Sequence, residues 1–181
     1  DALEAKRLTI ASAAHPGPVY LRLGRAPVPA ITKPEDPLAI GQANVLRAGD
    51  DVTLIACGTM VAHSLQAAEL LAKEHIRARV VNLHTIKPLD TAAITAAARD
   101  TGAIVTVEEH TVLGGLGGAV AEVVVQRHPV PMRFVGVLDR FGTSGDPAEL
   151  LKAFHLMPED IAAAAKSVLR LKHAVVASGS R

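Results

Sequence analysis

Residues 103–118 of the chain read AIVTVEEHTVLGGLGG, and this stretch decides the fold. Its first five residues are apolar or β-branched, which predicts a buried strand over Ala103–Val107. Glu108, Glu109 and His110 follow, and a glycine-rich turn then predicts the start of a helix. Because parallel sheets bind ligands outside the carboxyl ends of their strands, chemistry or an interface is expected where this strand ends.

The rest of the chain alternates short apolar runs with alanine-rich segments of helical period. Further strands are predicted over Val52–Cys57, Arg79–Leu83 and Arg133–Val137, with an edge strand within Gln42–Arg47. Helices are predicted near Met60–His75, Thr91–Asp100 and Ala119–Arg127, from an Asp146 cap onward, and over Pro158 to about Leu171, with Asp90 capping the second. Strand and helix in alternation predict an α/β fold, a three-layer sandwich whose mostly parallel sheet is covered on both faces.

Prolines mark the domain boundary. Residues 1–25 hold the end of a helix, Ala2–Ala13, and a β-rich run, Val19–Leu23. Residues 26–38 are predicted to be a linker, because prolines at 27, 29, 34 and 37 block regular structure. Residues 39–172 form the main domain, and residues 173–181 are expected to be a flexible tail. Since the first residue is Asp1 and the opening helix lacks a preceding element, we expect a fragment or subunit of a larger protein.

Composition excludes several classes of function. Lys and Arg number 19 against 18 Asp and Glu and are spread along the chain, so neither nucleic acid nor a membrane is an expected partner. Cys57 is the only cysteine, which fits a reducing, cytoplasmic compartment, and it is predicted to be a buried thiol inside a strand. The eight histidines show no paired ligand spacing, so no metal site is predicted.

The strand ends are expected to meet at one edge of the sheet, here called the rim. The rim gathers polar residues and one glycine from four strand ends: Gly58, Thr59, His84, Glu108, Glu109, His110, Asp139 and Arg140. These carboxylates and histidines could act as acid, base and charge partners, but we favour hydrogen bonds at an interface or helix caps, since no nucleophile lies in a recognised turn. Gly114, Gly115 and Gly117 could cradle an anion, yet the turn lacks P-loop residues and dinucleotide spacing, which favours tight packing.

Several ordered segments resemble the carboxyl-terminal part of transketolase-like, thiamine-diphosphate-dependent enzymes. These segments are VTLIACGTMV at 52–61, VNLHTIKPLD at 81–90, VEEHTVLGGLGG at 107–118, and DRFGTSG at 139–145 with Glu149–Leu151. The resemblance runs from residue 16 to about 170, and the order of the motifs makes it specific. It implies a three-domain enzyme whose first domain holds the diphosphate, whose second holds the aminopyrimidine, and whose third supports a dimer. This chain would carry the last helix and strand of the second domain and the whole third.

The resemblance also implies roles for residues and partners. Arg25, in GPVYLRLGR at 17–25, takes the place of an arginine that contacts the phosphate of the sugar acceptor, and a planar guanidinium suits that contact. The alternative is a surface arginine before a proline linker. The family's GDG motif and glutamate region are absent from this sequence, so we expect no catalytic residue, no cofactor in this chain and no activity alone. Thiamine diphosphate and Mg²⁺ would be held elsewhere in the complete enzyme. Expected partners are a second copy in a homodimer, an N-terminal thiamine-binding subunit or both, and sugar phosphates.

Three enzymes of this family compete as the parent: transketolase, deoxyxylulose phosphate synthase and the β subunit of 2-oxoacid dehydrogenases. The motif FGTSG at 141–145 resembles the corresponding motif of transketolase, which transfers a two-carbon ketol unit between sugar phosphates. Arg25 argues against the dehydrogenase subunit, whose substrates carry no phosphate. A hypothesis of another class is a non-catalytic assembly or anion-binding module.

Overall fold

The computed structural model describes the backbone of residues 1–179 and the side chains of residues 1–174. Its elements are α1 (Ala2–Ala13), β1 (Asn44–Arg47), β2 (Val52–Ala56), α2 (Met60–Lys73), β3 (Ala78–Asn82), α3 (Thr91–Thr101), β4 (Ile104–Thr111), α4 (Leu116–Arg127), β5 (Met132–Val137), α5 (Pro147–Ala153) and α6 (Pro158–Gly179).

The five strands form one sheet in the order β1-β3-β2-β4-β5. Strands β2, β3, β4 and β5 run parallel, and β1 pairs antiparallel with β3 at one edge. The predicted α/β class and the mostly parallel sheet are confirmed. The carboxyl ends of β2, β3, β4 and β5 therefore lie along one side of the sheet, which is the predicted rim.

Helices cover both faces of the sheet. Alternate residues of β2 point to opposite sides, so Leu54 and Ala56 pack in one cluster with Leu71 of α2 and Ile161 of α6. Ile55 belongs to the second cluster, which includes Ile94 of α3 together with Val120 and Val124 of α4. All five residues of β2 are buried, as expected for a central parallel strand.

The predicted helix caps are confirmed. An oxygen of the Asp90 carboxylate accepts from the Ala93 amide at 2.9 Å, and its other oxygen accepts from the Ala43 amide at 2.8 Å. Asp90 thus starts α3 and also holds the segment that leads into β1. Asp146 accepts from the Ala148 amide at 2.9 Å and starts α5.

Most element boundaries differ from the prediction by a few residues, and the larger differences are at β4, at residues 19–23 and at the end of α6. β4 continues past Val107 to Thr111, with a register shift against β5 between those two residues. The expected strand over Val19–Leu23 is wrong, because this exposed segment pairs with no strand among residues 1–179. α6 continues beyond Leu171, so the predicted tail is helical as far as Gly179, and Ser180 and Arg181 lie outside the described residues.

The N-terminal helix is docked on the α/β unit by polar contacts. Glu4 of α1 is 7% exposed, and its carboxylate accepts from the Asn82 side-chain amide at 2.5 Å, at the carboxyl end of β3. The Asp1 carboxylate accepts from the Ile31 and Thr32 amides, both at 2.7 Å. Residues 1–25 therefore contact the rim, and residues 26–38 return to the start of α1. Within residues 1–179, no helix is long and apolar enough to cross a membrane.

Candidate functional site

The glycine turn after β4 is built around the carboxylate of Glu108. Glu108 is 2% exposed, and its two oxygens accept from the amides of Leu116 at 2.7 Å and Gly117 at 2.9 Å. A carboxylate in this place satisfies amides that a helix start leaves unpaired and stabilises the positive end of the helix dipole. The first turn of α4 thus receives its negative charge from within the chain.

The glycines of this turn are required by close packing. A Cβ on Gly115 would overlap the Glu108 carboxylate and would lie 2.7 Å from the Thr111 carbonyl oxygen. A Cβ on Gly117 would come within 2.9 Å of the Phe134 ring, and Gly114 has a φ of +71°, which favours glycine. The geometry agrees with tight packing and leaves the Leu116 and Gly117 amides no capacity for an external anion.

The rim residues Thr59 and Glu109 form a pair that the N-terminal segment crosses. The hydroxyl of Thr59, at the start of α2, donates a hydrogen bond to the Glu109 carboxylate at 2.8 Å. The Arg22 guanidinium donates to the backbone carbonyl of Glu109 at 3.2 Å. Gly24 lies against Thr59, since a Cβ there would be 3.2 Å from the Thr59 methyl carbon. Residues 22–24 therefore lie across the ends of β2 and β4.

A second group of polar side chains, Asn82 and His84, lies at and just after the end of β3. Besides its bond to Glu4, Asn82 is 0% exposed and its Oδ1 has no partner among the described residues. His84 bonds through Nδ1 to the Thr85 hydroxyl at 2.8 Å, whereas its buried Nε2 has no described partner. Burial lowers the pKa of His84, and the nearby Glu4 carboxylate partly opposes that shift.

Cys57 lies immediately after β2, rather than inside a strand as predicted, and is partly buried. Burial, followed by the charge of Glu108, raises the pKa of its thiol from 9.0 to about 12. Such a thiol is protonated at neutral pH, which makes it a poor nucleophile.

The remaining rim residues do not converge on one point. His110 is exposed and bonds through Nδ1 to the Thr111 carbonyl at 3.0 Å. Asp139 is exposed with a φ of +38°. Arg140 donates to the Ala153 carbonyl at the end of α5 at 2.5 Å and stacks over the Phe154 ring at 4.3 Å.

Arg25, the expected phosphate ligand, lies in a bend just after the rim crossing. Its side chain is exposed and makes no hydrogen bond to any other residue that the structure describes. A guanidinium in this setting has all its donors available, which suits recognition of a phosphate.

The described helix starts fit a diphosphate poorly. The starts of α3, α4 and α5 are capped by Asp90, Glu108 and Asp146, respectively. At the start of α2 the Met60 and Val61 amides already donate to backbone carbonyls. In the same part of the chain, no group of three or more His, Cys, Asp or Glu residues is arranged to hold a metal ion.

Sequence reasoning missed the contacts of Glu4, Arg22 and Asn82. Arg22 carried a signal, because a lone arginine interrupts the apolar run of residues 19–23. Glu4 and Asn82 carried none, since they are distant in sequence and meet only when α1 docks on the end of β3. Together these residues seat the N-terminal segment on the rim.

Comparison with known proteins finds similar sequences over most of the chain. Residues 41–161 match the family described as Transketolase, C-terminal domain. The chain is 47% identical over 160 residues to the 6-deoxy-6-sulfo-D-fructose transketolase subunit SqwH of Clostridium sp. (strain MSTE9), covering 88% of this chain and 50% of that protein. It is 41% identical over 162 residues to a subunit of the apulose-4-phosphate transketolase of Phocaeicola vulgatus, covering 89% of this chain and 52% of that protein.

Two further similarities extend this result. A 1-deoxy-D-xylulose-5-phosphate synthase of Symbiobacterium thermophilum is 37% identical over 186 residues, covering 100% of this chain but 28% of that protein. A solved structure described as a split gene transketolase, inactive β4 tetramer, superposes with a TM-score of 0.88 at 45% identity, covering 91% of this chain and 54% of the other. The chain thus spans about half the length of the transketolase subunits that it matches.

Proposed function

Because this chain belongs to the transketolase C-terminal domain family, we propose that it is the C-terminal, assembly-supporting part of a transketolase. The complete enzyme would transfer a two-carbon ketol unit between sugar phosphates. The observation that carries this proposal is the 47% identity with a transketolase subunit, half of whose length the chain covers. A supporting observation is the α/β unit with a docked N-terminal segment, which superposes on a split-gene transketolase.

We propose that catalysis needs a partner that holds thiamine diphosphate and Mg²⁺. This cofactor supplies the carbanion chemistry of ketol transfer when it is bound to the complete enzyme. The capped helix starts support its placement outside this chain. The partner would be an N-terminal thiamine-binding subunit or domain, and two copies of the present chain would associate in the assembly. A cytoplasmic location belongs to the same proposal, supported by the single unpaired cysteine.

The proposed contribution of this chain to substrate binding is Arg25. Its guanidinium is exposed and makes no side-chain bond within the described residues, so it can offer a bidentate contact to a phosphate on the acceptor sugar. This is a binding role, because no set of nucleophile, base and orienting group converges near it in the described part of the chain.

The deoxyxylulose phosphate synthase is the second candidate, supported by the 37% identity over 186 residues. The dehydrogenase β subunit is less favoured, since an arginine suited to phosphate stands at position 25. An anion-binding module centred on the glycine turn is disfavoured, because Glu108 already occupies the amides of that turn.

Reconstitution tests the proposed function. The chain is mixed with the protein that carries the GDG motif and glutamate region, and ketol transfer between sugar phosphates is followed by product formation. We expect activity from the mixture and none from either protein alone. Ketol transfer by the isolated chain, or an inactive mixture that nevertheless forms a stable complex, would contradict the proposal. Formation of deoxyxylulose phosphate in the same assay would favour the synthase.

An arginine substitution tests the role of residue 25 in that mixture. Arg25→Ala should raise the KM for phosphorylated acceptors about ten- to hundredfold, the loss expected for a charge-assisted contact, with little change for unphosphorylated acceptors. Arg127→Ala is the control, because it removes the same charge from the last turn of α4. Equal effects of Arg25→Ala on both classes of acceptor would refute the phosphate contact.

A further inference from the structure

The segment that carries Arg25 is fixed to the rim on its N-terminal side. Three residues before Arg25, the Arg22 guanidinium donates to the Glu109 carbonyl at 3.2 Å. The next contact is that of Gly24, which lies against the Thr59 side chain. The chain therefore reaches Arg25 directly from an anchored crossing.

The anchor joins two regular elements. Thr59 begins α2, Glu109 belongs to β4, and the Thr59 hydroxyl donates to the Glu109 carboxylate at 2.8 Å. Glu109 is thus bonded through its carboxylate to α2 and through its carbonyl to Arg22. These bonds hold the two elements and the crossing segment in one arrangement.

The chain is anchored again on the C-terminal side of Arg25. The Ile31 and Thr32 amides and the Thr32 hydroxyl all donate to the Asp1 carboxylate at 2.7 Å. Asp1 starts α1, which is seated on β3 through Glu4 and Asn82. Arg25 consequently lies in a short loop whose two ends are both tied to the folded body.

We infer that Arg22 is a positioning residue for phosphate recognition: with the Thr59–Glu109 pair, it holds the loop so that Arg25 is presented in a fixed place. This inference rests on the proposed contact between Arg25 and a phosphorylated sugar. Both arginines are exposed, but the Arg22 guanidinium donates to a backbone carbonyl, whereas Arg25 makes no side-chain hydrogen bond among the described residues, so their roles differ. A loop that is ordered before binding loses less conformational freedom when the ligand arrives, which raises affinity without a new contact.

Steady-state kinetics of the reconstituted enzyme separate positioning from general stability. Arg22→Ala should raise the KM for phosphorylated acceptors about three- to tenfold, the equivalent of one lost hydrogen bond, with kcat and unphosphorylated acceptors nearly unchanged. Arg22→Lys should recover part of the loss, since an ammonium can still donate to the Glu109 carbonyl. Added to Arg25→Ala, the Arg22 substitution should have little further effect. Arg127→Ala again controls for lost charge.

A second measurement is independent of catalysis. Trypsin cleaves after exposed arginines in mobile loops, so cleavage after Arg25, followed by mass spectrometry, reports the order of this loop. Arg22→Ala should accelerate that cleavage, whereas Arg127→Ala should leave its rate as in the unaltered protein, with the same melting temperature in all three.

The outcomes distinguish the inference from the function on which it rests. If Arg25→Ala raises the KM for phosphorylated acceptors but Arg22→Ala does not, positioning by Arg22 is refuted while the phosphate contact stands. If Arg25→Ala has no selective effect, both are refuted. Unchanged trypsin cleavage in Arg22→Ala would refute the anchoring even if the kinetics changed.

Discussion

His84 combines partial burial with a ring nitrogen that lacks a described partner. The neutral ring bonds to Thr85 through Nδ1, and protonation would place a charge on the buried Nε2. Burial therefore lowers the pKa of His84 below its ordinary 6.5, and the attraction of Glu4 for a charged ring is the smaller effect. The folded protein favours the neutral imidazole.

This shift gives stability a defined pH dependence. Below about pH 6.5 the unfolded chain binds a proton at His84 that the folded chain resists, so the free energy of unfolding falls as pH is lowered. His84→Gln should remove that part of the slope between about pH 7.5 and about pH 5 in urea titrations followed by circular dichroism. The other histidines remain in both proteins and serve as the internal control. If the free energy of unfolding changed with pH equally in the unaltered protein and in His84→Gln, His84 would have no shifted pKa in the folded protein.

Cys57 makes a second prediction at the residue scale. With its pKa raised to about 12, the thiol should be alkylated by iodoacetamide far more slowly in the folded protein than in urea. Mass spectrometry at about pH 8 measures both rates, and a free cysteine peptide under the same conditions gives the reference rate. A folded-state rate equal to that of the peptide would mean that the thiol is neither buried nor shifted.

At the scale of elements, the turn between β4 and α4 requires glycine at position 115 but leaves room for a side chain at position 118. Gly115→Ala forces a methyl group into the Glu108 carboxylate, so the Leu116 and Gly117 amides lose their acceptor. We expect a loss of about 2–4 kcal/mol in the free energy of unfolding, from overpacking plus unpaired amides.

Gly118 supplies the matched control for that substitution. It lies in α4 with no atom within 4 Å of an added Cβ, so Gly118→Ala should be neutral or stabilise by about 0.5–1 kcal/mol. Urea unfolding of the two variants side by side measures the difference. Equal stabilities would mean that Glu108 does not pack against the turn as described.

Comparing the predicted strands with the observed ones shows which parts of the fold can be read from the sequence. The apolar runs located β2 and β3 because most of their residues are buried in the sheet. They also located β5, which is buried only at Val135 and Gly136. The end of β4 escaped prediction, since Glu108 is polar yet buried and its reason for being there is a helix start eight residues later. The antiparallel pairing of β1 escaped too, because it depends on the neighbouring β3 rather than on the residues of β1.

At the scale of the whole molecule, the candidate site depends on contacts between distant segments. The sequence placed Thr59, His84 and Glu109 at one edge because parallel strands end together. It could not show that Glu4 of α1 bonds to Asn82 or that Arg22 crosses to Glu109, since these contacts span more than 70 residues. Val19–Leu23 was misassigned for the same reason: strand propensity cannot supply the partner strand.

Glu4 is the one buried residue of α1, and its contact with Asn82 gives a prediction for the whole molecule. Asn82 is fully buried, and Glu4 is the partner of its side-chain amide. Glu4→Ala would leave that amide unpaired, so we expect a loss of about 1–3 kcal/mol in the free energy of unfolding. Glu4→Gln keeps an acceptor oxygen and should cost clearly less.

Lys6→Ala is the control on the same helix, because Lys6 is exposed and its substitution should change stability by less than about 0.5 kcal/mol. Chemical unfolding followed by circular dichroism ranks the three variants. The structure requires Glu4→Ala to be the most destabilised, Glu4→Gln intermediate and Lys6→Ala unchanged. If Glu4→Ala were as stable as Lys6→Ala, α1 would not be held in place through Asn82. The Asp1 contacts would then not fix the C-terminal side of the Arg25 loop to the folded body.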